Sequence, residues 1–244
     1  PFTFRVLKKD CLDLPEKTYT VRNVPLTMEQ IRIYKDLQKE AMTLLEDGQL
    51  VSAPQVITQM LRLQQLLSGH MKTDEGEMIE IASQRLDAMM SCIEEVSGKI
   101  IIWSRFRYDI IQIRNALAKA YGDQSVVSYY GDTSDEDRQR AIDRFQNGEA
   151  RFFVANPATA GYGLTLTEAN TVIYYANDFN LETRIQSEDR CHRIGQKNPV
   201  TYIDLIAEST IDEKIVKSLR DKIDIGAKVL KEEAREWLKL TPKS

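Results

Sequence analysis

The sequence contains few cysteines and histidines, and this scarcity limits the kinds of site that it can build. Its 244 residues include three cysteines and two histidines. The cysteines lie far apart, their number is odd, and they form neither a CxxC pair nor a metal-ligand spacing. We therefore expect a reducing intracellular compartment, either the cytoplasm or nucleoid or, in a eukaryote, the nucleus. The same counts come close to excluding a zinc site.

Long apolar runs are also absent, although 42% of the residues are hydrophobic and 29% are charged, as in ordinary globular proteins. No run approaches the roughly 18 apolar residues that a membrane-spanning helix requires, so we expect no membrane partner. No basic and then apolar leader follows Pro1, from which we expect an excised or processed piece. The net charge of −4 argues against non-specific coating of nucleic acid, but it leaves room for a local basic groove.

Residues 1–80 are predicted to form a mainly helical segment that begins with one strand. The strand is the alternating stretch TYTVRNVPL. A helix should follow, with Thr27 as its N-cap and Gln30 as the partner in a capping box. A second helix should have Pro54 in its first turn. The polar stretch at 72–77 is interpreted as a loop.

Residues 81–210 alternate strictly between helical and extended patterns. The five apolar extended segments are KIIIWS, SVVSYY, RFFVA, TVIYYA and PVTYIDLIA. Such strands separated by helices predict an α/β fold, a parallel sheet with helices on both faces. Right-handed crossovers then bring all strand C-termini to one edge, where ligands bind. Residues 211–244 are predicted to form a C-terminal helical brace.

One helix predicted over residues 181–193 carries the most informative segment, QSEDRCHRIGQ. Gln186, Arg190 and Arg193 stand at i, i+4 and i+7 and should share one face of this helix. Two guanidinium groups and an amide on one face suit a polyphosphate, because guanidinium forks bind phosphate oxygens in pairs. The alternative is a solvated basic face with intrahelical ion pairs.

Other charged and imidazole side chains are predicted to have supporting roles. Glu188 and Asp189 could orient the arginines. His192 should point away from the arginine face and act structurally, and His70 is interpreted as a helix-end residue.

Two further segments follow predicted strands and should lie at the same edge of the sheet. In NPATAGYGLTL, Gly161 and Gly163 would let backbone N–H groups approach a phosphate or ribose, with a tight turn as the alternative. Thr159 and Ala160 offer a hydroxyl and a small surface to a nucleic-acid backbone.

The second of these segments, WSRF, follows the first apolar strand. It places Ser104 and Arg105 on a loop whose basic and aromatic residues can hold phosphates and stack on bases. A packed surface loop is the alternative. Tyr130 and Gly131 end the next strand at the same edge, where they could also be a simple turn.

Taken together and in this order, these segments resemble the C-terminal half of the Snf2-type ATPases of helicase superfamily 2. QSEDRCHRIGQ is similar to the sixth helicase motif, ATAGYGLTLTEANTVIYY to the fifth motif and the next strand, and KIIIWSRF to the fourth. YYGDTSDEDRQRAIDRFQNGEARFFVA resembles the segment between the fourth and fifth motifs, and PFTFRVLKKDCLDLPEKTYTVRNVPLT resembles the interlobe linker. The resemblance covers most of the chain, and the family has a helical protrusion near residues 29–80.

The resemblance implies a RecA-like fold that serves as the second of two lobes clasping ATP with Mg²⁺. Arg190 and Arg193 match arginine fingers that reach the γ-phosphate, and such a finger contributes about 10³- to 10⁵-fold to the rate in other enzymes. Gln186 matches a residue at the interlobe nucleotide site. Gly161 and Gly163 match the turn beside the ribose and phosphates.

The resemblance also implies a track for duplex DNA and a motor that shifts along it, remodelling DNA–protein complexes or annealing strands. Six positions match residues that line the DNA backbone: Ser104, Arg105, Tyr130, Gly131, Thr159 and Ala160. The implied partners are duplex DNA and the N-terminal RecA-like lobe, and we expect a monomer. The expected domains are a linker with a short protrusion at 1–80, the lobe at 81–210 and the brace at 211–244.

No GxxxxGK[ST] motif occurs, and no acidic metal-binding box follows an apolar strand. We therefore expect the phosphate cradle and the metal site on the first lobe, and we expect this chain alone to bind ATP weakly and to hydrolyse none. Two alternatives remain open. The chain could belong to a strand-separating helicase of the same superfamily, or it could be a non-catalytic binding module that retains the fold.

Overall fold

The computed structural model describes residues 14–46, 53–73, 75–131, 134–159, 164–221 and 242. The described helices are α1 Met28–Glu46, α2 Ala53–Ser68, α3 Arg85–Glu94, α4 Arg107–Tyr121, α5 Asp135–Gln146, α6 Leu181–Cys191 and α7 Ile211–Arg220. The described strands are β1 Lys17–Asn23, β2 His70–Lys72, β3 Met78–Glu80, β4 Lys99–Ser104, β5 Val126–Tyr129, β6 Phe152–Ala155, β7 Ala169–Ala176 and β8 Val200–Ile206. A short 3-10 helix, Asp123–Ser125, precedes β5.

Six of the strands form one sheet in the order β1-β8-β7-β4-β6-β5, and every neighbouring pair is parallel. Strand β4 shows why its sequence is almost continuously apolar. Trp103 packs into the core on one face of the sheet and Ile102 into the core on the other, and both are fully buried. Because helices cover both faces, neither face of the central strands can be polar. The predicted α/β fold, a RecA-like parallel sheet with helices on both faces, is confirmed.

The strand expected near the start of the chain joins this sheet. Strand β1 pairs in parallel with β8, so that Lys17 lies opposite Val200 and Asn23 opposite Ile206. Residues grouped by sequence with the interlobe linker therefore supply an edge strand of the lobe. The division of the chain at residue 80 stays a prediction.

Helices α1 and α2 form as expected, and the capping box at the start of α1 is confirmed. The backbone N–H of Gln30 donates to Thr27 Oγ1 at 3.2 Å, and the backbone N–H of Thr27 donates to Gln30 Oε1 at 3.2 Å. Pro54 lies in the first turn of α2. The apolar faces of both helices bury Tyr34 and Met60 in one cluster that also contains Ile215 of α7.

The polar stretch at 72–77 is more structured at its borders than the sequence predicts. Strands β2 and β3 flank it and pair antiparallel, with His70 opposite Glu80. His70 was expected at a helix end, but it lies in β2 and is buried. The sequence signal is weak because each strand has only three residues, fewer than a period-2 pattern needs.

The predicted C-terminal helix begins at Ile211 and is described as far as Arg220. Thr210 caps it by accepting a hydrogen bond from the backbone N–H of Asp212. Residues 222–241 lie outside the described residues, so the predicted brace is not tested. Within the described parts of the chain, no helix is both long and apolar enough to cross a membrane.

Candidate functional site

Helix α6 carries most of the segment that the sequence singled out. Asn180 caps its start by accepting a hydrogen bond from the backbone N–H of Thr183. The helix ends at Cys191, because the backbone of His192 leaves the helical region with φ −96° and ψ 81°. Arg193 therefore follows the helix, and the prediction that it shares a helical face with Gln186 and Arg190 is wrong.

The turn after α6 places Arg193 beside the chain that follows the glycine segment. Its Nη1 donates to the carbonyl of Leu164 at 3.1 Å and to Thr165 Oγ1 at 3.0 Å. The backbone N–H of Leu166 donates to the carbonyl of Arg190 at 2.9 Å. Tertiary contacts therefore bring the two arginines to the fifth-motif chain just before β7, at the amino ends of the strands, so the prediction that they lie at the carboxyl edge of the sheet is wrong.

The environment of Arg190 is electropositive. Burial and the positive charge of Arg193 lower the pKa of Arg190, and the nearby carboxylate of Asp189 offsets only part of this. An anion with several oxygens would stabilise such a pair, because guanidinium groups bind phosphate oxygens through charge-assisted hydrogen bonds.

Of the other residues expected at the nucleotide, the structure describes Gln186 only. Gln186 is half-buried on α6, and its Nε2 donates to Glu182 Oε1 at 2.9 Å. Gly161 and Gly163 lie outside the described residues.

Glu188 was expected to orient the arginine pair, and its carboxylate is bound by residues of α6 and β1. It faces the sheet, where its carboxylate accepts hydrogen bonds from Arg184 Nε at 2.9 Å and from Tyr19 Oη at 2.7 Å. Lys17 Nζ lies 3.1 Å from the same carboxylate. Burial raises the pKa of Glu188, but Arg184, Lys17 and Tyr19 outweigh it and hold this pKa below its ordinary value.

Arg184 is the centre of a buried polar network that the sequence analysis missed. Its Nη1 lies 2.6 Å from Asp204 Oδ1 and 2.7 Å from Asn177 Oδ1. Its guanidinium lies 3.5 Å from the ring centroid of Tyr174. The sequence PVTYIDLIA does contain a signal for this network, because Asp204 lies inside an apolar strand and a buried carboxylate needs a polar partner.

Ser104 was expected to line the DNA track, but its side chain lies inside the protein. Its side chain is fully buried, and its Oγ donates to Asp109 Oδ2 at 2.6 Å. On the other side of this carboxylate, His70 Nδ1 lies 3.2 Å from Asp109 Oδ1. The prediction that the Ser104 side chain lines the DNA backbone does not fit this position, because the first turn of α4 and strand β2 enclose the hydroxyl.

Arg105 remains partly accessible, with 21% of its side chain exposed. Its Nη1 lies 3.0 Å from Asp178 Oδ1, and its guanidinium lies 4.5 Å from the ring centroid of Phe179. Burial lowers the pKa of Arg105, and Asp178 partly offsets this. The ion pair and the aromatic contact hold the guanidinium in one position at the edge of the sheet.

The described ones among the remaining positions of the expected DNA track follow strands β5 and β6 at this edge. The ring of Tyr130 is half-buried, and Gly131 is exposed. Asn156 connects two of the loops, because its Nδ2 donates to the carbonyl of Arg105 at 2.6 Å and its Oδ1 accepts from the backbone N–H of Thr159 at 3.3 Å. The sequence analysis assigned Asn156 no role. Ala160 lies outside the described residues.

Metal binding has no visible support in the described part of the chain. There, no group of three or more His, Cys, Asp or Glu side chains is placed to hold a metal ion. We therefore assign no metal ligand to these residues.

Comparison with known families agrees with this geometry. Residues 84–195 match the family described as "Helicase conserved C-terminal domain". These residues therefore match a helicase C-terminal domain. The matched range includes β4 to β7 and α6, so it contains the described parts of all three segments.

Relatives and solved structures place this domain among the Snf2-type proteins. YwqA of Bacillus subtilis (strain 168), named as a candidate ATP-dependent helicase/translocase, is 28% identical over 248 residues, which are 98% of this chain and 27% of YwqA. The Sulfolobus solfataricus SWI2/SNF2 ATPase core in complex with dsDNA gives a TM-score of 0.74 at 29% identity and covers 93% of this chain and 51% of that one. The C-terminal domain of the S. solfataricus ATPase gives 0.68 at 26% identity, covering 92% and 99%. The chain spans between 11% and 27% of the length of the curated relatives that it matches.

Proposed function

We propose that this chain is the second motor lobe of a Snf2-type, DNA-stimulated ATPase. The whole enzyme would couple ATP hydrolysis to translocation along duplex DNA and to the remodelling of DNA or DNA–protein complexes. The observation that carries this proposal is the placement of Arg190 and Arg193 against the chain that leads into β7, where burial and the positive charge of Arg193 lower the pKa of Arg190. A triphosphate held by a facing lobe would relieve this repulsion.

In this proposal Arg190 and Arg193 act as arginine fingers that stabilise the charge developing on the γ-phosphate. Gln186 contacts the nucleotide at the interlobe site, and Gly161 and Gly163 form the turn beside the ribose and phosphates. Mg²⁺ would neutralise phosphate charge when bound with ATP. The described residues supply no ligand set for this ion, so we assign its ligands mainly to the first lobe.

The second partner in this proposal is duplex DNA. Arg105, Tyr130, Gly131, Thr159 and Ala160 would contact its backbone, and Ser104 would act by fixing the loop that carries Arg105. The proposal is supported by the common edge on which the described members of this set lie, and by the likeness to the S. solfataricus SWI2/SNF2 ATPase core in complex with dsDNA. We further propose a monomer that works on DNA in the nucleoid or nucleus.

The deciding experiment measures ATP turnover by the intact protein that contains this chain and its first lobe, with and without duplex DNA. We expect strong stimulation by DNA in the wild type. Arg193→Ala should lower the stimulated turnover by about 10³-fold or more while DNA affinity is retained, because a finger stabilises mainly the transition state. Arg140→Ala is the matched control, since Arg140 lies on α5 with 68% of its side chain exposed.

Two results would contradict the proposal. Wild-type turnover in Arg193→Ala would make this residue structural, and a wild type without DNA-stimulated turnover would favour the binding module. A strand-displacement assay on the same protein separates translocation from strand separation. Measurable turnover by this chain without the first lobe would contradict the expected division of the site.

A further inference from the structure

Three residues in and just before β1 contact the segment that carries Arg190 and Arg193, which we call the arginine segment. Tyr19 Oη donates to Glu188 Oε2 at 2.7 Å, and Lys17 Nζ lies 3.1 Å from the same oxygen. His192 Nε2 donates to the carbonyl of Pro15 at 2.7 Å. We call Pro15, Lys17 and Tyr19 the β1 clamp.

These contacts lie on both sides of Arg190 in the sequence. Glu188 precedes Arg190 by two residues and His192 follows it by two. The clamp therefore holds the chain on both sides of this arginine.

Polar contacts dominate the inner face of α6, which makes the clamp important for its orientation. The buried residues of this helix are Arg184, Ser187, Glu188 and Cys191. Hydrogen bonds and ion pairs fix direction as well as distance, whereas apolar packing tolerates small rotations and slides. The position of Arg190 is thus set by a small number of directional contacts.

A second group of contacts holds the arginine segment from the opposite side. The carbonyl of Arg190 accepts from the backbone N–H of Leu166, and Arg193 donates to the carbonyl of Leu164. The segment is therefore fixed between the fifth-motif chain and the β1 clamp. Loss of either side would leave the guanidinium groups free to shift by the distances that matter in catalysis.

We propose that Tyr19, Glu188 and His192 are positioning residues, through which the β1 clamp holds Arg190 and Arg193 in the geometry that reaches the γ-phosphate. This inference rests on the proposed function of the two arginines. Tyr19 is the best residue to test, because its ring stacks on Tyr202 at 5.1 Å and would keep this contact after loss of the hydroxyl.

The test compares Tyr19→Phe with the wild type in the intact protein. With saturating duplex DNA, we expect kcat to fall about 3- to 10-fold while KM for ATP and Tm stay near wild type, because a mispositioned finger costs transition-state stabilisation. Tyr121→Phe is the matched control. It removes a hydroxyl from a tyrosine on α4 whose ring packs on Phe152, remote from α6, and should change neither kcat nor KM.

A second measurement on the same protein does not depend on turnover. Peptide-resolved hydrogen exchange should be faster at the backbone N–H groups of His192 and Leu166 in Tyr19→Phe, because they bond to the carbonyls of Glu188 and Arg190. Exchange across β8 should stay unchanged. A wild type without DNA-stimulated turnover would refute the proposed function, and this exchange would still decide whether the clamp holds the segment.

Three outcomes would overturn the inference. The first is wild-type kcat in Tyr19→Phe. The second is unchanged exchange at His192 and Leu166. The third is a lowered Tm with faster exchange throughout β1 and β8, which would make the Tyr19 hydroxyl a general stabiliser of the sheet edge and not a positioning group.

Discussion

Arg184 and Asp204 form an ion pair that is almost wholly withdrawn from solvent, with 2.6 Å between Nη1 and Oδ1 and with side chains that are 6% and 0% exposed. The pair joins α6 to β8. Each partner has further polar contacts, since Arg184 also binds Glu188 and Asp204 also accepts from Asn177 Nδ2 at 3.0 Å. These contacts offset the cost of removing two charges from water. The helix that carries the candidate site is thus attached to the sheet mainly by charge.

Removing one member of this pair should destabilise the protein strongly. Arg184→Met should lower the free energy of unfolding by about 3–5 kcal/mol, because it leaves the carboxylate of Asp204 buried without its main cation. Urea denaturation of wild type and variant measures this change. The double variant Arg184→Met/Asp204→Leu should recover much of the loss.

Arg140→Met is the control for that experiment. Its side chain is exposed and pairs with Asp137 on the same helix, so the expected loss is below about 1 kcal/mol. Equal losses for Arg184→Met and Arg140→Met would contradict the buried position of Arg184.

The lowered pKa of Glu188 predicts a specific dependence of stability on pH. Because the folded pKa lies below the ordinary value of 4.5, the folded state favours the ionised carboxylate. The resulting stabilisation is fully present above about pH 4.5 and is lost as the pH falls through the folded pKa. Glu188→Gln should therefore be less stable than wild type at neutral pH, and the difference should shrink in acid.

Unfolding by urea at several pH values between neutrality and acid checks this expectation. Glu136→Gln serves as the control, because Glu136 lies on the exposed side of α5. A stability difference between wild type and Glu188→Gln that is constant over the whole pH range would show that the ion pairs of Glu188 do not shift its titration.

The burial of Ser104 separates its role from that of the neighbouring basic residues. Ser104→Ala should lower the free energy of unfolding by about 1–3 kcal/mol, because the buried carboxylate of Asp109 loses a donor. It should leave the salt dependence of DNA binding unchanged. Arg107→Ala removes an exposed cation at the start of α4 and should weaken binding with a salt slope lower by about 1.

Fluorescence anisotropy with a labelled duplex at several salt concentrations measures both variants. The reverse pattern, in which Ser104→Ala changes the slope and Arg107→Ala does not, would contradict the positions found for these two side chains.

Local signals in the sequence predicted much of the fold. The N-cap Thr27 and its capping-box partner Gln30 are confirmed, with the backbone N–H of Gln30 donating to Thr27 Oγ1 at 3.2 Å. These features are predictable because a cap and its partner lie within three residues of each other. Pairing of β1 with β8 was not predictable in the same way, since the partners are separated by almost the whole chain.

The candidate site was likewise predictable from the sequence only in part. The motifs identified Arg190 and Arg193 as neighbours, but the sequence placed both on one helix at the carboxyl edge of the sheet, whereas the helix ends before Arg193 and its end lies beside the first residue of β7. The sequence by itself determined the alternation of strands and helices, because apolar spacing reports which faces of a single element are buried. Only the tertiary structure decided that Ser104 is enclosed, that Glu188 faces β1 and that Arg184 binds Asp204. The partner of a buried charge lies on another element, and no spacing within one segment specifies it.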